Sequence, residues 1–129
     1  MSRGFSLFEV LVAMAILIGA IVTLAMAIAR SAATNASARA STYATILATD
    51  KMEHLRALPF DDAGLAASGA DTLASDVEGF FDEPAPGYRR RWSIQPLAAP
   101  VEAVAVTAVV WCRNVAQARL TTLKVRRVP

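Results

Sequence analysis

The sequence contains little of what most catalytic sites need. Its 129 residues include one cysteine and one histidine. A single cysteine cannot form a disulfide within the chain, so the fold is not a disulfide-stabilised scaffold. One histidine and one cysteine also provide no nucleophile–base pair and no metal-ligand spacing, and there is no glycine-rich phosphate loop. We therefore expect a protein that is not an enzyme, with no catalytic residue, no metal site and no cofactor.

Charged residues are absent from Val10 to Ala29, where small and large aliphatic residues fill almost every position. About 20 apolar residues in a helix are enough to cross the roughly 30 Å hydrocarbon layer of a bilayer. A cleaved secretory signal would have a shorter apolar core, of about 7–15 residues, ending at a small-residue cleavage site. Here the run continues into helix-compatible sequence from Ser31 to Arg39. The pattern predicts a membrane-spanning helix; a signal peptide does not fit, and a plain uncleaved anchor stays open.

The sequence after the apolar run predicts an amphipathic continuation of the same helix. Apolar residues recur at three- to five-residue spacing between Ala44 and Leu55, and charged residues lie mostly on the other side. Pro59 ends this pattern, because the residue before a proline disfavours the helical conformation. We therefore predict one helix from near Phe5 to about Leu58, whose second half covers another surface.

The remainder of the chain predicts a long loop followed by a small sheet. Residues 60–86 contain three glycines, several aspartates and little periodicity, which is typical of a loop with at most one helical turn. Alternating or β-branched residues predict three strands, at Tyr88–Gln95, Ala103–Cys112 and Arg119–Val128. Residues Arg113–Ala118 would form the hairpin loop between the last two strands. An antiparallel sheet packed against the amphipathic half of the helix would bury both apolar faces. The predicted fold class is α+β.

Several side chains can be assigned from this pattern. We assign Trp92 and Trp111 to the core between sheet and helix, and Cys112 to a buried strand position. The single histidine, His54, is expected on the helix surface, and the aspartates of the loop are expected to be solvated because their spacing matches no calcium-binding loop.

Three consecutive arginines, Arg89, Arg90 and Arg91, resemble a basic nucleic-acid patch. Strand geometry, however, sends Arg89 and Arg91 to one face of the sheet and Arg90 to the other. We therefore expect them to pair with the acidic loop or with an acidic neighbour, and nucleic acid is not expected as a partner.

Glu9 is the acid that lies at the start of the apolar run. An ionised carboxylate in an apolar helix is costly unless it has a partner. If the chain were cut after Gly4, the new α-amino group of Phe5 would lie about one helical turn away. That amine, or the same amine on a neighbouring copy, is a natural cationic partner for Glu9. Alternatively, Glu9 lies at the level of the lipid headgroups and extends into water.

The N-terminal segment reads Gly4-Phe5-Ser6-Leu7-Phe8-Glu9 and runs directly into the apolar stretch. This segment resembles the processing motif of type IV prepilins and of type II secretion pseudopilins. The resemblance implies that the prepilin peptidase cuts between Gly4 and Phe5 and methylates the Phe5 amine, and that Glu9 neutralises the amine of an adjacent subunit during filament assembly. It also implies a pilin-like fold with a leader at 1–4, a membrane helix at 5–29, its amphipathic continuation at 30–58 and a periplasmic or extracellular domain at 59–129.

Residues 43–60 are similar to the PilV-type minor pilins, which often carry a lysine–methionine–glutamate segment that runs to Leu-Pro-Phe. The membrane helix lacks the proline common in major pilins, and the C-terminal region lacks their cysteine pair. The implied function is that of a minor pilin-like subunit that aids filament assembly or initiation. Two alternatives stay open, a minor pseudopilin of a type II secretion system and a periplasmic binding module held by an uncleaved anchor.

The resemblance also implies a location and a set of partners. The chain would cross the inner membrane once with its N-terminus in the cytoplasm and then enter a pilus or a periplasmic pseudopilus. Its partners would be the prepilin peptidase, other pilins or pseudopilins, the inner-membrane assembly platform and membrane lipid. Because Arg30 and Arg39 follow the span, the positive-inside rule is ambiguous and the orientation depends on the resemblance.

Overall fold

The computed structural model describes residues 6–97 and 102–126. A helix of 51 residues, α1 (Leu7–Ala57), precedes two short 3-10 helices and four strands. The 3-10 helices are Ala63–Leu65 and Ala70–Leu73, and the strands are β1 (Phe81–Ala85), β2 (Tyr88–Pro96), β3 (Ala103–Cys112) and β4 (Val115–Val125). All four strands form one antiparallel sheet in the order β1-β2-β3-β4. The predicted α+β fold class is confirmed.

The chain divides into two compact units between Ala38 and Arg39. Among the described residues, the first unit consists of the first part of α1 alone, and every one of its side chains is exposed. This part of α1 is long and apolar enough to cross a membrane. The second unit contains the rest of α1, the two 3-10 helices and the sheet.

The core of the second unit lies between α1 and the sheet. The buried stripe of α1 consists of Ala44, Ala48, Met52 and Leu55, spaced three or four residues apart. The two alanines allow close packing on Val110 of β3. Met52 and Leu55 pack with the larger side chains of the sheet, which are Trp92, Ile94 and Val106. The predicted amphipathic packing and the core position of Trp92 are confirmed.

The region predicted as one long loop contains a fourth strand. β1 pairs with β2 at the edge of the sheet, but its register shifts between Asp82 and Ala85. Pro84 lies at this shift and has no N–H to donate to a neighbouring strand. The prediction of about three strands was wrong, because five residues with two acids and a proline show no readable alternation.

The hairpin between β3 and β4 is tighter than predicted. Its turn consists of Arg113 and Asn114, with φ values of 50° and 63°. Two consecutive left-handed residues form the primed type of turn, whose twist matches that of the flanking strands. β4 therefore begins at Val115 and ends at Val125. The prediction of a loop from Arg113 to Ala118 was wrong because Arg-Asn is not the usual Asn-Gly signal.

Two core assignments also need correction. Trp111 lies on the face of the sheet that points away from α1, half-buried, with the guanidinium of Arg91 5.4 Å from its ring centroid. Cys112, at the end of β3, is also only half-buried. Both predictions failed because β3 is apolar at almost every position, so its alternation does not indicate which face the helix covers.

Candidate functional site

The predicted processing residues Gly4 and Phe5 lie outside the described residues. Glu9 is described and occupies the first turn of α1 with an exposed side chain. It borders one shallow depression together with Val12, Ala13 and Ile16, which lie three, four and seven residues further along the same helix face. The carboxylate therefore stands at the start of an apolar stripe, and no cation contacts it within the described part of the chain.

Glu9 also takes part in a local structure that the sequence analysis missed. Its backbone N–H donates to the carbonyl oxygen of Ser6 at 3.0 Å and to Ser6 Oγ at 3.3 Å. Ser6 is therefore the N-cap residue of α1 and Glu9 the third helical residue, which is the Ser-x-x-Glu pattern of a capping box. An acid in the first turn also interacts favourably with the helix dipole. Ser6 thus caps the helix through the backbone N–H of Glu9, and the Glu9 carboxylate adds a favourable charge at the helix start.

The apolar side chains that follow Glu9 have no protein surface to cover them. Between Val10 and Ala29, twelve large apolar side chains are exposed, with Ile16 68% exposed. Hiding each of them from water contributes about 1.5–3 kcal/mol. Because these side chains are 42–68% exposed, leaving all of them in water would cost roughly 10–20 kcal/mol. This segment is long and apolar enough to lie in a membrane.

In the second unit, Arg90 of β2 is the most buried charged side chain among the described residues, with 8% of it exposed. Its guanidinium donates two hydrogen bonds to Asp82 of β1, at 2.9 and 2.8 Å, in the two-pronged geometry that favours arginine. It also donates to the carbonyl oxygen of Leu47 at 2.6 Å and to the carboxylate of Asp50 at 3.1 Å. One side chain therefore joins α1, β1 and β2.

Lys51 adds a second cation to this cluster from α1. Its Nζ lies 3.6 Å from the Asp82 carboxylate and 3.5 Å from the centroid of the Trp92 ring. Burial is the main cause that lowers the pKa of Lys51. Burial would raise the pKa of Asp82, but hydrogen bonds and charge from Arg90, together with Lys51, hold it below its ordinary value. The carboxylate therefore stays charged at neutral pH and pairs with both cations.

Arg89 and Arg91 lie on the opposite face of the sheet from Arg90, as strand alternation predicts. Arg89 forms ion pairs with Asp76 at 2.6 Å and with Glu83 at 2.6 Å. Arg91 forms an ion pair with the same Asp76 at 2.8 Å. The predicted pairing of these arginines with the acidic loop is confirmed, and the pairing leaves them little free charge.

A cleft of about 440 Å³ lies beside these arginines, bordered also by Trp111 and Arg113. The indole Nε1 of Trp111 is buried and has no hydrogen-bond partner in the described part of the chain.

Within residues 6–97 and 102–126 no group of three or more His, Cys, Asp or Glu side chains could hold a metal ion. His54 is exposed on α1, as predicted.

The end of α1 is held by β4. Lys124 Nζ donates to the carbonyl oxygens of Leu55 at 3.3 Å, Arg56 at 3.0 Å and Leu58. Carbonyl groups in the last turn of a helix lack partners within the helix, and a cation there also interacts favourably with the helix dipole. Lys124 therefore stabilises both the end of α1 and its attachment to the sheet.

Comparison of the chain with models of protein families, with curated proteins and with solved structures found no match. Its function is therefore inferred from the residues described above.

Proposed function

We propose that the chain is a minor subunit of a type IV pilus-type filament, processed after Gly4 and methylated on the amine of Phe5. The observation that carries the proposal is the position of Glu9, between the Gly4-Phe5 pair and an uncharged helix long enough to span a membrane. The resemblance to prepilins depends on the same residues. In this function the subunit aids the initiation or assembly of the filament.

The exposed apolar surface of α1 supports this proposal because a filament subunit needs it twice. Before assembly the segment from Val10 to Ala29 would lie in the inner membrane, where lipid covers its side chains. In a filament the same side chains would pack against the helices of neighbouring subunits. Both environments remove the surface from water, so the subunit moves between them without exposing it.

The position of Glu9 supports an assembly role. A carboxylate among packed apolar helices is strongly disfavoured unless a cation is paired with it. Cleavage after Gly4 would create such a cation, the amine of Phe5, at the end of each neighbouring subunit. A pair between this amine and Glu9 would favour one axial register over its alternatives, because other registers leave both charges unpaired.

The first experiment is mass spectrometry of the N-terminal peptide from sheared surface filaments and from membranes, in cells with an active prepilin peptidase. A peptide that begins at N-methylated Phe5 in the sheared fraction is the expected result. The same peptide found only in membranes would favour a secretion pseudopilin. A leader that stays uncut in both fractions would refute the proposal and favour the uncleaved anchor.

A second experiment separates the two roles of Glu9. Glu9→Gln removes the charge but keeps a residue that functions in a capping box, whereas Glu9→Leu removes both. We expect both variants to lose incorporation into filaments at normal membrane levels. Glu78→Gln, at an exposed site in the second unit, is the matched control and should assemble normally. Normal assembly of Glu9→Gln would show that Glu9 serves only the helix start.

A further inference from the structure

The outer edge of β4 has backbone groups that no other part of the described chain pairs with. β4 is the last strand in the sheet, and β3 is its neighbour on one side only. Arg126 donates its N–H to the Glu102 carbonyl oxygen at 2.9 Å. Hydrogen-bonded and non-hydrogen-bonded residue pairs alternate along an antiparallel ladder. The backbone N–H and C=O groups of the even-numbered residues from Ala118 to Lys124 therefore point towards β3. The N–H and C=O groups that point outward belong to Arg119, Thr121, Leu123 and Val125.

This edge has few of the features that protect edge strands from added chains. Proline, bulges and charged side chains, lysine above all, are the usual protections. The opposite edge, β1, has five residues and includes Pro84, whereas β4 has eleven residues and no proline. The one register shift of β4 lies at Gln117 and leaves the strand regularly paired from Ala118 to Val125. Lys124 does not guard the edge because its ammonium group is bound to the end of α1. At the other end, Ser41 of α1 donates to the Gln117 carbonyl oxygen at 3.4 Å, two residues before Arg119.

The side chains beside the open edge indicate what would bind there. Leu123 and Val125 are 60% and 53% exposed and lie on the same face of the strand as Arg119. Arg119 has no ion-pair partner among the described residues, whereas Lys124 and Arg126 have partners. β4 contains no acidic residue. An added strand would therefore meet two apolar side chains at one end and an uncompensated guanidinium at the other.

We propose that the outer edge of β4 binds an extended segment of a partner protein as a fifth, antiparallel strand. The segment would place a carboxylate opposite Arg119 and apolar side chains opposite Leu123 and Val125. Main-chain hydrogen bonds supply the affinity of such strand addition, and alternate side chains supply its specificity. This site belongs to the second unit and goes beyond the proposed function, since it does not depend on cleavage after Gly4.

A second copy of this chain is a poorer occupant. Its β1 edge contains Pro84, and the two carboxylates there are already paired, Asp82 with Arg90 and Glu83 with Arg89. Pairing β4 with another β4 would bring two basic strands together without an acid between them. Opposite charges across a strand pair are favourable and like charges are not, so the basic edge favours an acidic segment from another protein.

The test uses the full chain in detergent micelles and a synthetic nine-residue peptide. The peptide consists of threonine except for valine at its second and fourth positions and glutamate at its eighth. Amide hydrogen exchange is followed by NMR. At a peptide concentration of about ten times its Kd, exchange should slow about tenfold at the outward amides of Thr121, Leu123 and Val125. The inward amides of Leu120 and Thr122, which already face β3, should change little.

A pair of backbone variants tests the hydrogen bonding. Leu123→Pro removes an outward N–H without removing a bond to β3, and it should abolish peptide binding. Leu123→Ala, the matched control, keeps that N–H and should retain binding. If Leu123→Pro does not fold, the same test uses the unaltered protein and a peptide whose backbone nitrogens on the pairing edge are N-methylated. This peptide should not bind to the protein.

A charge exchange tests the specificity. Arg119→Glu should weaken binding of the glutamate peptide about five- to tenfold and strengthen binding of a peptide with lysine in that position by a similar factor. Equal binding of both peptides to both proteins would overturn the role of Arg119. Absence of protection at the outward amides would overturn the site. Protection that increases with protein concentration, without peptide, would identify a second copy as the occupant and overturn the proposed partner.

Discussion

Replacing Asp82 by alanine should destabilise the second unit more than replacing Arg90 by methionine, although both substitutions remove the same ion pair. The side chain of Arg90 is 8% exposed and that of Asp82 is 35% exposed. Without Asp82, a buried guanidinium keeps only its bonds to Leu47 and Asp50. Without Arg90, the carboxylate that is left can be reached by water and lies 3.6 Å from Lys51.

The expected magnitudes follow from these surroundings. Removing one partner of a buried ion pair costs about 3–5 kcal/mol. Because Arg90 keeps two hydrogen bonds, Asp82→Ala should lie at the low end, at about 3 kcal/mol. Arg90→Met fills the space of the arginine stem and leaves a partly solvated acid, so it should cost about 1 kcal/mol. The double variant leaves no buried guanidinium, but Lys51 loses its carboxylate partner, so it should cost about 2 kcal/mol, well below the sum of the single losses.

Urea unfolding of the full chain in detergent micelles at neutral pH measures these differences. Trp92 fluorescence reports on the cluster because Lys51 lies over its ring, and a Trp111→Phe background removes the second signal. Glu53→Ala, which removes only an exposed ion pair, is the control and should change stability by less than about 0.5 kcal/mol. An Arg90→Met loss as large as that of Asp82→Ala, or additive losses in the double variant, would contradict the difference in burial as the cause.

Acid should destabilise the second unit through Asp82, whose folded pKa lies below its ordinary value of 3.8. Its contribution is complete above that value and is lost as pH falls through the folded pKa, so Asp82→Asn should flatten the fall of the urea midpoint in acid. Lys124→Met should cost about 1 kcal/mol because the last carbonyls of α1 lose their cation, and an unchanged urea midpoint would contradict this. Arg113→Gly should stabilise the chain by about 0.5–1 kcal/mol in the same assay, because Arg113 has a φ of 50°. Ala105→Gly, at a regularly paired position of β3, should instead destabilise it.

Local signals predicted most of the fold. The helix was predicted from near Phe5 to about Leu58 and is observed from Leu7 to Ala57, because Pro59 ends it in both cases. β3 has the predicted bounds, since its β-branched run is long. β1 was missed because Pro84 and two acids hide a strand that depends on pairing with β2. The start of β4 was misplaced because its turn uses residues without a strong turn preference.

The role of the candidate site stays a prediction. Glu9 was selected for its charge at the start of an apolar run, and it lies in the first turn of α1. The capping role of Ser6 was missed, although the spacing of a serine and a glutamate three residues later was readable. The open edge of β4 could not be predicted, because which strand lies at the edge depends on the order of the strands in the sheet.

The long helix, its apolar first half and the α+β class can be read from the amino-acid sequence, because these depend on neighbouring residues and on a period along the chain. The opposite orientation of Arg90 relative to Arg89 and Arg91 can be read in the same way. The contact of Arg90 with Leu47, 43 positions away, the binding of Lys124 to the end of α1 and the place of Trp111 outside the core depend on the folded arrangement. Contacts over such separations are selected by the packing of whole elements, which no local pattern specifies.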